Sequence, residues 1–377
     1  MKIVHTEASL GWGGQEIRIL NESQGLIARG HEVQVLAPPE SRILEEAPRF
    51  GVPAQALDIG RKNWSGLTAM RRWLSRQRGL GAIDVINTHS STDSWLVALA
   101  SLTMGQAPPQ VRTRHISAAV PNNWTTRWLY GHASRLIVTT GEALREKLVH
   151  DNRLDAQRIV SIPTGIDTAH FRPPTTLERR AARARLEVGD AVFVVGIVAT
   201  LRSWKGHRYL IDALQMLTQI EGQGEWLLVI VGDGPQRAAL EGQVASRHLD
   251  AHVLFVGNQN DVLPYLWSLD AFALPSYANE GVPQALLQAM ACGLPVVTTH
   301  AGAISEIARD EESALITPIQ DSKALAVALA RLRASNELRL GLAQAARRRV
   351  EDGYDLESML TRMEAVFTRA RSSDLST

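Results

Sequence analysis

The chain has 377 residues, enough for two domains of ordinary size. A hydrophobic fraction of 45% and a charged fraction of 21% exclude a disordered, collagenous or coiled-coil chain. Its 40 basic and 39 acidic residues leave a net charge of +1, which argues against a strongly basic nucleic-acid binder, and no nucleic-acid partner is expected.

At the start, Lys2-Ile3-Val4-His5 reads as a short buried strand. The opening stretch MKIVHTEASLGWGGQ breaks its apolar residues with His, Thr, Glu and Ser, unlike a signal peptide. Gly11, Gly13 and Gly14 follow, then an apolar-periodic helix through Ile17, Leu20 and Leu26 that Gly30 ends. Residues 31–36 form the next strand. A strand, glycine loop, helix and strand in series are the building block of parallel α/β sheets. Val85-Ile86 and Leu136-Ile137-Val138 are expected as later strands of the same sheet.

Pro173-Pro174 and the arginine-rich helix from Arg179 to Leu186 read as a junction, after which the pattern restarts. Val192 to Val198 is a β-branched strand, Arg202-Ser203-Trp204-Lys205-Gly206 a polar loop and Tyr209 to Ile220 a helix. The strand Trp226 to Val231 is closed by Gly232-Asp233-Gly234-Pro235, and short apolar runs recur at 253–256, 271–274 and 295–297. This predicts two Rossmann-like domains in tandem, residues 1–172 and 173–355, followed by a last helix from Leu356 to Arg371 within 356–377. No apolar run reaches the roughly 20 residues that span a bilayer. The lone Cys292 excludes an internal disulfide and a cysteine-built metal cage, and fits a reducing, cytoplasmic location. The net charge hides an asymmetry: residues 1–172 sum to about +5 and the remainder to about −4.

In open α/β sheets, ligands bind beyond the carboxyl ends of the strands. Arg202 and Lys205 stand there, next to Gly206 and a helix start, and two cations in that place suit a diphosphate. Further on, Ser276-Tyr277-Ala278-Asn279-Glu280-Gly281-Val282-Pro283 leads into a short helix, Pro283 to Cys292, with Gly293 as its C-cap. Glu280, just before that helix, can complement its N-terminus or accept two sugar hydroxyls. Gly11 to Gly14 and Gly232-Asp233-Gly234 both miss the G-x-G-x-x-G register, so nicotinamide binding is poorly supported.

These motifs, in this order and spacing, resemble those of the family-4 (group 1) retaining glycosyltransferases of bacterial cell-surface polysaccharide and lipopolysaccharide synthesis. The likeness rests on Arg202…Lys205-Gly206, Gly232-Asp233-Gly234-Pro235, and Asn279-Glu280-Gly281 through Pro295-Val296. Ile162 to Asp167 matches the segment that closes the family's first domain. The resemblance implies the GT-B fold, an α/β architecture of two Rossmann-like domains facing each other across a cleft, with the last helix crossing back to the first. It implies a UDP-, GDP- or ADP-linked sugar donor, a glycan or lipid-linked acceptor, and no cofactor.

By the same resemblance, Arg202 and Lys205 would hold the diphosphate and stabilise charge developing on the leaving group. Glu280 would bind donor-sugar hydroxyls with the backbone N–H groups of Gly281 and Val282. Asn258 and Val262 would meet the nucleobase, and Gly13 and Gly14 would approach the phosphate or the acceptor. His115 would stand near the reacting sugar, with His89 a weaker candidate of that kind. Retention would follow front-face attack, the leaving phosphate assisting deprotonation of the acceptor. One departure matters: where the family has a second glutamate eight residues after the first, this chain has Gln288. An amide offers one acceptor oxygen to the ribose hydroxyls where a carboxylate offers two, and Gln284, one turn earlier, is placed to share the task. No Asp-x-Asp triplet occurs, so no metal is expected.

Between Arg61 and Arg78 lie six cations and two tryptophans, among them Trp64, Arg71, Arg72 and Trp73, and a second pair, Trp124 and Trp128, flanks Arg127. Tryptophan favours the headgroup layer and cations favour anionic lipid, so these six residues are candidates for the acceptor or for docking on the cytoplasmic face of the inner membrane. Core packing on an ordinary helix is the competing expectation. Two other functions stay open: a sugar-nucleotide 2-epimerase of the same architecture, and a sugar-nucleotide-binding protein without activity.

Overall fold

The computed structural model describes residues 1–77, 82–115, 120–220, 225–278 and 280–372. Arg78 and Asn279, both in motifs quoted above, lie outside the described residues. The chain forms two compact units, residues 1–165 with the C-terminal segment from Leu356, and residues 166–355.

Unit 1 is built on seven parallel strands: β1 (Lys2–Thr6), β2 (Glu32–Ala37), β3 (Ala54–Ala56), β4 (Val85–Thr88), β5 (Gln110–Arg114), β6 (Ser134–Thr139) and β7 (Ile159–Ser161). Their order across the sheet is β3-β2-β1-β4-β5-β6-β7. Unit 2 carries six: β8 (Phe193–Val198), β9 (Trp226–Val231), β10 (Val253–Gly257), β11 (Ala271–Leu274), β12 (Val296–Thr298) and β13 (Leu315–Ile316), all parallel in the order β10-β9-β8-β11-β12-β13. Strand order reverses at β1/β4 in one sheet and β8/β11 in the other. Such reversal points open a crevice at the carboxyl ends of the strands, where α/β proteins take their ligands.

The β-branched runs of β8 and the apolar β9 are buried on both faces, as strands of a helix-covered parallel sheet must be. Ile3, Val85, Val111 and Leu136 of unit 1 pack with Met363, Val366 and Phe367 of the helix Leu356–Arg371. Arg29 secures that helix through Glu364 and Glu357, each at 2.6 Å.

The boundary between the units falls at residue 165/166 rather than at 172/173. Ile166 donates its N–H to the Tyr354 carbonyl at 2.8 Å and bridges Asp355, and Phe171 packs on the unit 2 core. The prolines that suggested a junction thus follow the true one by seven residues. The arginine-rich helix, Thr176–Arg185, is a structural clamp: Arg179 and Arg183 both reach Asp270, at 2.7 and 3.1 Å.

Candidate active site

At the reversal point of unit 2, the loop after β8 and the loop after β11 meet. The first carries Leu201, Arg202 and the single 3-10 turn Ser203–Lys205. Gly206 then adopts φ +80°, and a Cβ there would stand 2.0 Å from the Pro275 carbonyl oxygen, so only glycine lets the two loops approach. Tyr277 N–H donates to the Trp204 carbonyl at 2.9 Å and fixes that approach.

As a result Lys205 Nζ lies 2.7 Å from Glu280 Oε1, and Ser276 Oγ donates to the same oxygen at 2.6 Å. Glu280 is buried. Its Oε1 is committed twice, while Oε2 has no partner among the described residues and is left to accept from a hydroxyl. The N–H groups of Gly281 and Val282 likewise donate to nothing described. Behind Lys205, His207 is buried, and burial together with the nearby ammonium lowers its pKa to about 3. It therefore adds no competing positive charge. Arg202 is exposed, 5.7 Å from the Trp204 ring, with no carboxylate partner among the described residues.

Two glycines in the turn after β9 brace this arrangement. A Cβ on Gly232 would fall 2.1 Å from the Ala199 carbonyl oxygen, and one on Gly234 2.8 Å from that of Leu201. The turn then holds the Arg202 loop through Leu201 N–H to Asp233 O and Gln236 N–H to Leu201 O, each 3.0 Å. Gly232-Asp233-Gly234 is thus not a failed dinucleotide motif; it is a backbone support.

The helix after Glu280 runs Gln284–Ala291, with Pro283 as N-cap and Cys292 as C-cap. Gln284 and Gln288 lie one turn apart. Gln288 is buried, and the Gln284 side-chain oxygen is a buried acceptor without a partner. An orphaned acceptor there fits a ligand that brings hydroxyl donors. Burial pushes the Cys292 thiol up to about 12, so it stays a packed thiol. Asn258 is exposed and Val262 half-buried, on either side of Asp261, whose carboxylate accepts from the Leu263 N–H at 2.9 Å.

In unit 1 the reversal point gathers three histidines. His5 Nδ1 lies 2.9 Å from His89 Nε2, and His89 Nδ1 lies 2.8 Å from His115 Nε2. Gly13 caps the helix Gly14–Ala28 in an extended conformation, with no side chain crowding it, and Gly14 is exposed. Glu7, immediately upstream, is buried; burial and then the neighbouring Asp93 raise its pKa to about 8. A separate hollow of about 260 Å³ is lined by Lys62, Ser91, Trp95, Arg112, Arg114 and Tyr130 among others. Arg112 sits 4.6 Å from the Tyr130 ring centre, and Lys62 donates to Ser91 Oγ at 2.9 Å.

The tryptophans divide. Trp64 is 81% exposed and Trp124 79% exposed. Trp73 is buried in the core and donates Nε1–H to Gln55, and Trp128 stacks on Trp95 at 5.6 Å. Trp73 is thereby withdrawn from any lipid surface, because helical spacing turns it inward while Trp64, at the helix start, stays outside; Trp128 is half-buried. Arg71 is tied to Thr103 and Ser75, and Arg72 is exposed. The roles of His5 and Gly302 carry no sequence signal, and the contacts of Ser276, Gly206, Gly232 and Gly234, all within the quoted motifs, are not legible there either, because close approach leaves no mark on spacing.

Two family models match, "Glycosyltransferase Family 4" over residues 12–170 and "Glycosyl transferases group 1" over residues 178–349. The chain belongs to the group 1 glycosyltransferases. It is 32% identical over 288 residues to a D-inositol 3-phosphate glycosyltransferase of Saccharomonospora viridis, spanning 73% of this chain and 63% of that one. It is 34% identical over 173 residues to the lipopolysaccharide core biosynthesis mannosyltransferase LpsB of Rhizobium meliloti, spanning 44% and 48%. Its fold is GT-B: the Anabaena HepE structure in complex with UDP-glucose superposes with a TM-score of 0.85 at 20% identity, covering 98% and 99% of the two chains.

Proposed function

We propose that the protein is a retaining, metal-independent hexosyltransferase that moves a sugar from a nucleotide donor to a glycan or lipid-linked acceptor in cell-surface polysaccharide or lipopolysaccharide synthesis. The Lys205–Glu280–Ser276 cluster carries this reading: a cation and a half-committed carboxylate share one edge of the sheet, where a sugar diphosphate presents an anion beside hydroxyls. The UDP-glucose bound by HepE and the lipopolysaccharide role of LpsB support it.

In this reading Arg202 and Lys205 neutralise the departing diphosphate, and binding it draws Lys205 from Glu280. Glu280 Oε2 accepts from the donor sugar. Its twice-occupied Oε1 suits hydroxyl binding better than nucleophilic attack, consistent with front-face transfer. The acceptor meets unit 1, whose hollow with Lys62, Arg112 and Arg114 suits a phosphate-bearing glycan or glycolipid.

A thermal-shift screen of UDP-, GDP- and ADP-sugars tests the reading, since a donor at about 100 times its Kd adds about 2.7 kcal/mol of stability. Stabilisation by none of the three would overturn it. Donor incubation without acceptor separates it from epimerisation, because an epimerase converts the sugar and a transferase at most hydrolyses it slowly. Activity should persist in EDTA, because guanidinium and ammonium replace the metal; strict dependence on an added divalent ion would contradict that. The Gln288→Glu variant should bind the donor as well or more tightly, as a second ribose acceptor is restored. Calorimetry showing loss of donor binding in that variant would remove the ribose assignment.

Trp64 and Trp124, flanked by Arg61, Lys62 and Arg127, are assigned to the anionic membrane surface. Flotation with phosphatidylglycerol-containing vesicles should recover the wild type and lose the Trp64→Ser/Trp124→Ser double variant. Equal recovery of both would refute that assignment.

A further inference from the structure

Burial leaves the three stacked imidazoles of unit 1 uncharged. The pKa of His5 falls to about 3, and those of His89 and His115 drop well below the ordinary histidine value, with burial the first cause in each. Three neutral rings joined by two hydrogen bonds have only two consistent proton arrangements, because each ring carries one N–H and each shared nitrogen pair holds one proton. Nitrogens 2.8 and 2.9 Å apart share a proton and leave no space for a metal ion between them.

The inner end of the chain is a carboxyl. His5 Nε2, buried and without a hydrogen-bond partner, lies 4.0 Å from Glu22 Oε1. Glu22 is fully buried, and its other oxygen lies 3.7 Å from Arg18 Nε. At the outer end His115 is half-buried, and its Nδ1 has no partner among the described residues.

We propose that Glu22, His5, His89 and His115 form one proton relay, in which the buried carboxyl of Glu22 holds the proton that His115 gives or takes at Nδ1. In the protonated arrangement Glu22 bears a proton facing bare His5 Nε2. His5 and His89 each donate from Nδ1 to the next ring, and His115 keeps its own proton on Nδ1. When His115 releases that proton to a base, His89 passes its Nδ1 proton to His115 Nε2. His5 passes its Nδ1 proton to His89 Nε2, and Glu22, its carboxyl turning to close the 4.0 Å gap, passes its proton to His5 Nε2. One proton leaves at Nδ1, one negative charge appears on Glu22 beside Arg18, and every ring stays neutral throughout. The carboxyl is poised for this, since burial outweighs Arg18 and raises its pKa to about 7.

The other charged groups around the relay are few. Arg18 acts on Glu22, His89 and His115, and Arg362, from the last helix, acts on Arg18. Asp93 accepts from the His89 backbone N–H at 2.9 Å, is held by Thr6 and Ser90, and does not touch the rings. Phe367 supplies an apolar edge against His5. His115 therefore offers substrate a donor at low pH and an acceptor at high pH without the cost of a buried imidazolium. That consequence rests on His115 meeting substrate, as the family resemblance implies; the relay itself does not.

Histidine-selective ¹⁵N NMR of the full chain, titrated from pH 6 to 8, tests the relay directly. The expected result is that His115 Nδ1 changes from protonated to bare while Nε2 changes the opposite way. The tautomer ratio should shift by up to about 100-fold over those two pH units. A single His115 tautomer throughout, or protonation of both its nitrogens together, would overturn the proposal. In Glu22→Gln the pH dependence should vanish while the rings remain neutral, and Glu22→Asp should restore a titration. With an active donor, Glu22→Gln should flatten the pH profile of kcat between 6 and 8 and leave donor KM within about twofold. A packing defect would instead lower kcat at every pH. Absence of any sugar-nucleotide turnover in the wild type would remove the functional reading, and the NMR result would still decide the relay.

Discussion

Replacing Lys205 by alanine lowers kcat/KM for sugar transfer by about 10³-fold or more, with the protein still folded by circular dichroism. Two effects add. On the proposed reading the donor diphosphate loses a cation placed where charge develops, and loss of one such preorganised donor costs about 10²–10³ in rate. Glu280 is also left buried with an uncompensated charge, and breaking a buried pair from one side costs about 3–5 kcal/mol. Glu280→Ala should be as damaging, because it removes the proposed sugar contact and frees Lys205. The double variant should fall short of the product of the two single losses, since each single change already disables the pair. Fully additive losses, or a Lys205→Ala enzyme within tenfold of wild type, would take the pair out of the mechanism.

Gly302→Ala should be nearly as severe although residue 302 carries no chemistry. Gly302 sits at φ +59°, and a Cβ there would stand 2.0 Å from the Glu280 carbonyl oxygen. The left-handed backbone alone costs a residue with a side chain about 1–3 kcal/mol, and the overlap forces the Glu280 segment to move. Ala303 N–H, which donates to that carbonyl at 3.3 Å, moves with it. The expected outcome is a melting temperature lowered by several degrees and donor affinity reduced at least tenfold. Gly341→Ala provides the contrast. That glycine lies within the helix Asn336–Gly353 with open space around it, and alanine there should stabilise by about 0.5–1 kcal/mol. Equal behaviour of the two variants would show that the close approach at 302 is not what positions Glu280.

Much of the fold was legible from apolar runs. β9 and β11 lie at the bounds the sequence predicts, and the last helix runs from Leu356 to Arg371 as expected. β3, β5, β7 and β13 are not predicted from sequence, and for the first two the reason is physical. The three residues of β3 are exposed, and β5, Gln110–Arg114, buries only one apolar residue, Val111, beside the polar Gln110, Arg112 and Thr113. A strand that brings polar groups to a ligand-binding edge carries no apolar period to read. The site shows the same division. Lys205 and Glu280 were legible because their motif is short and ordered. Ser276, which shares the Glu280 oxygen from four residues away, and the glycines that let loops touch depend on how the loops fold, which spacing does not record. The tryptophan pairs were equally opaque, because spacing did not tell which member of each pair turns inward.

The divided first unit also bears on how the chain is made. Residues 166–355 are contiguous, so unit 2 has its whole core once that segment has left the ribosome. Unit 1 must wait. Its sheet emerges first, yet Ile3, Val85, Val111 and Leu136 gain Met363, Val366 and Phe367 only when the last helix is synthesised. Newly made unit 1 therefore carries an uncovered apolar face through the whole synthesis of its partner. A premature stop just before Leu356 exposes that face permanently, and the truncated product becomes a substrate for holding chaperones and proteases.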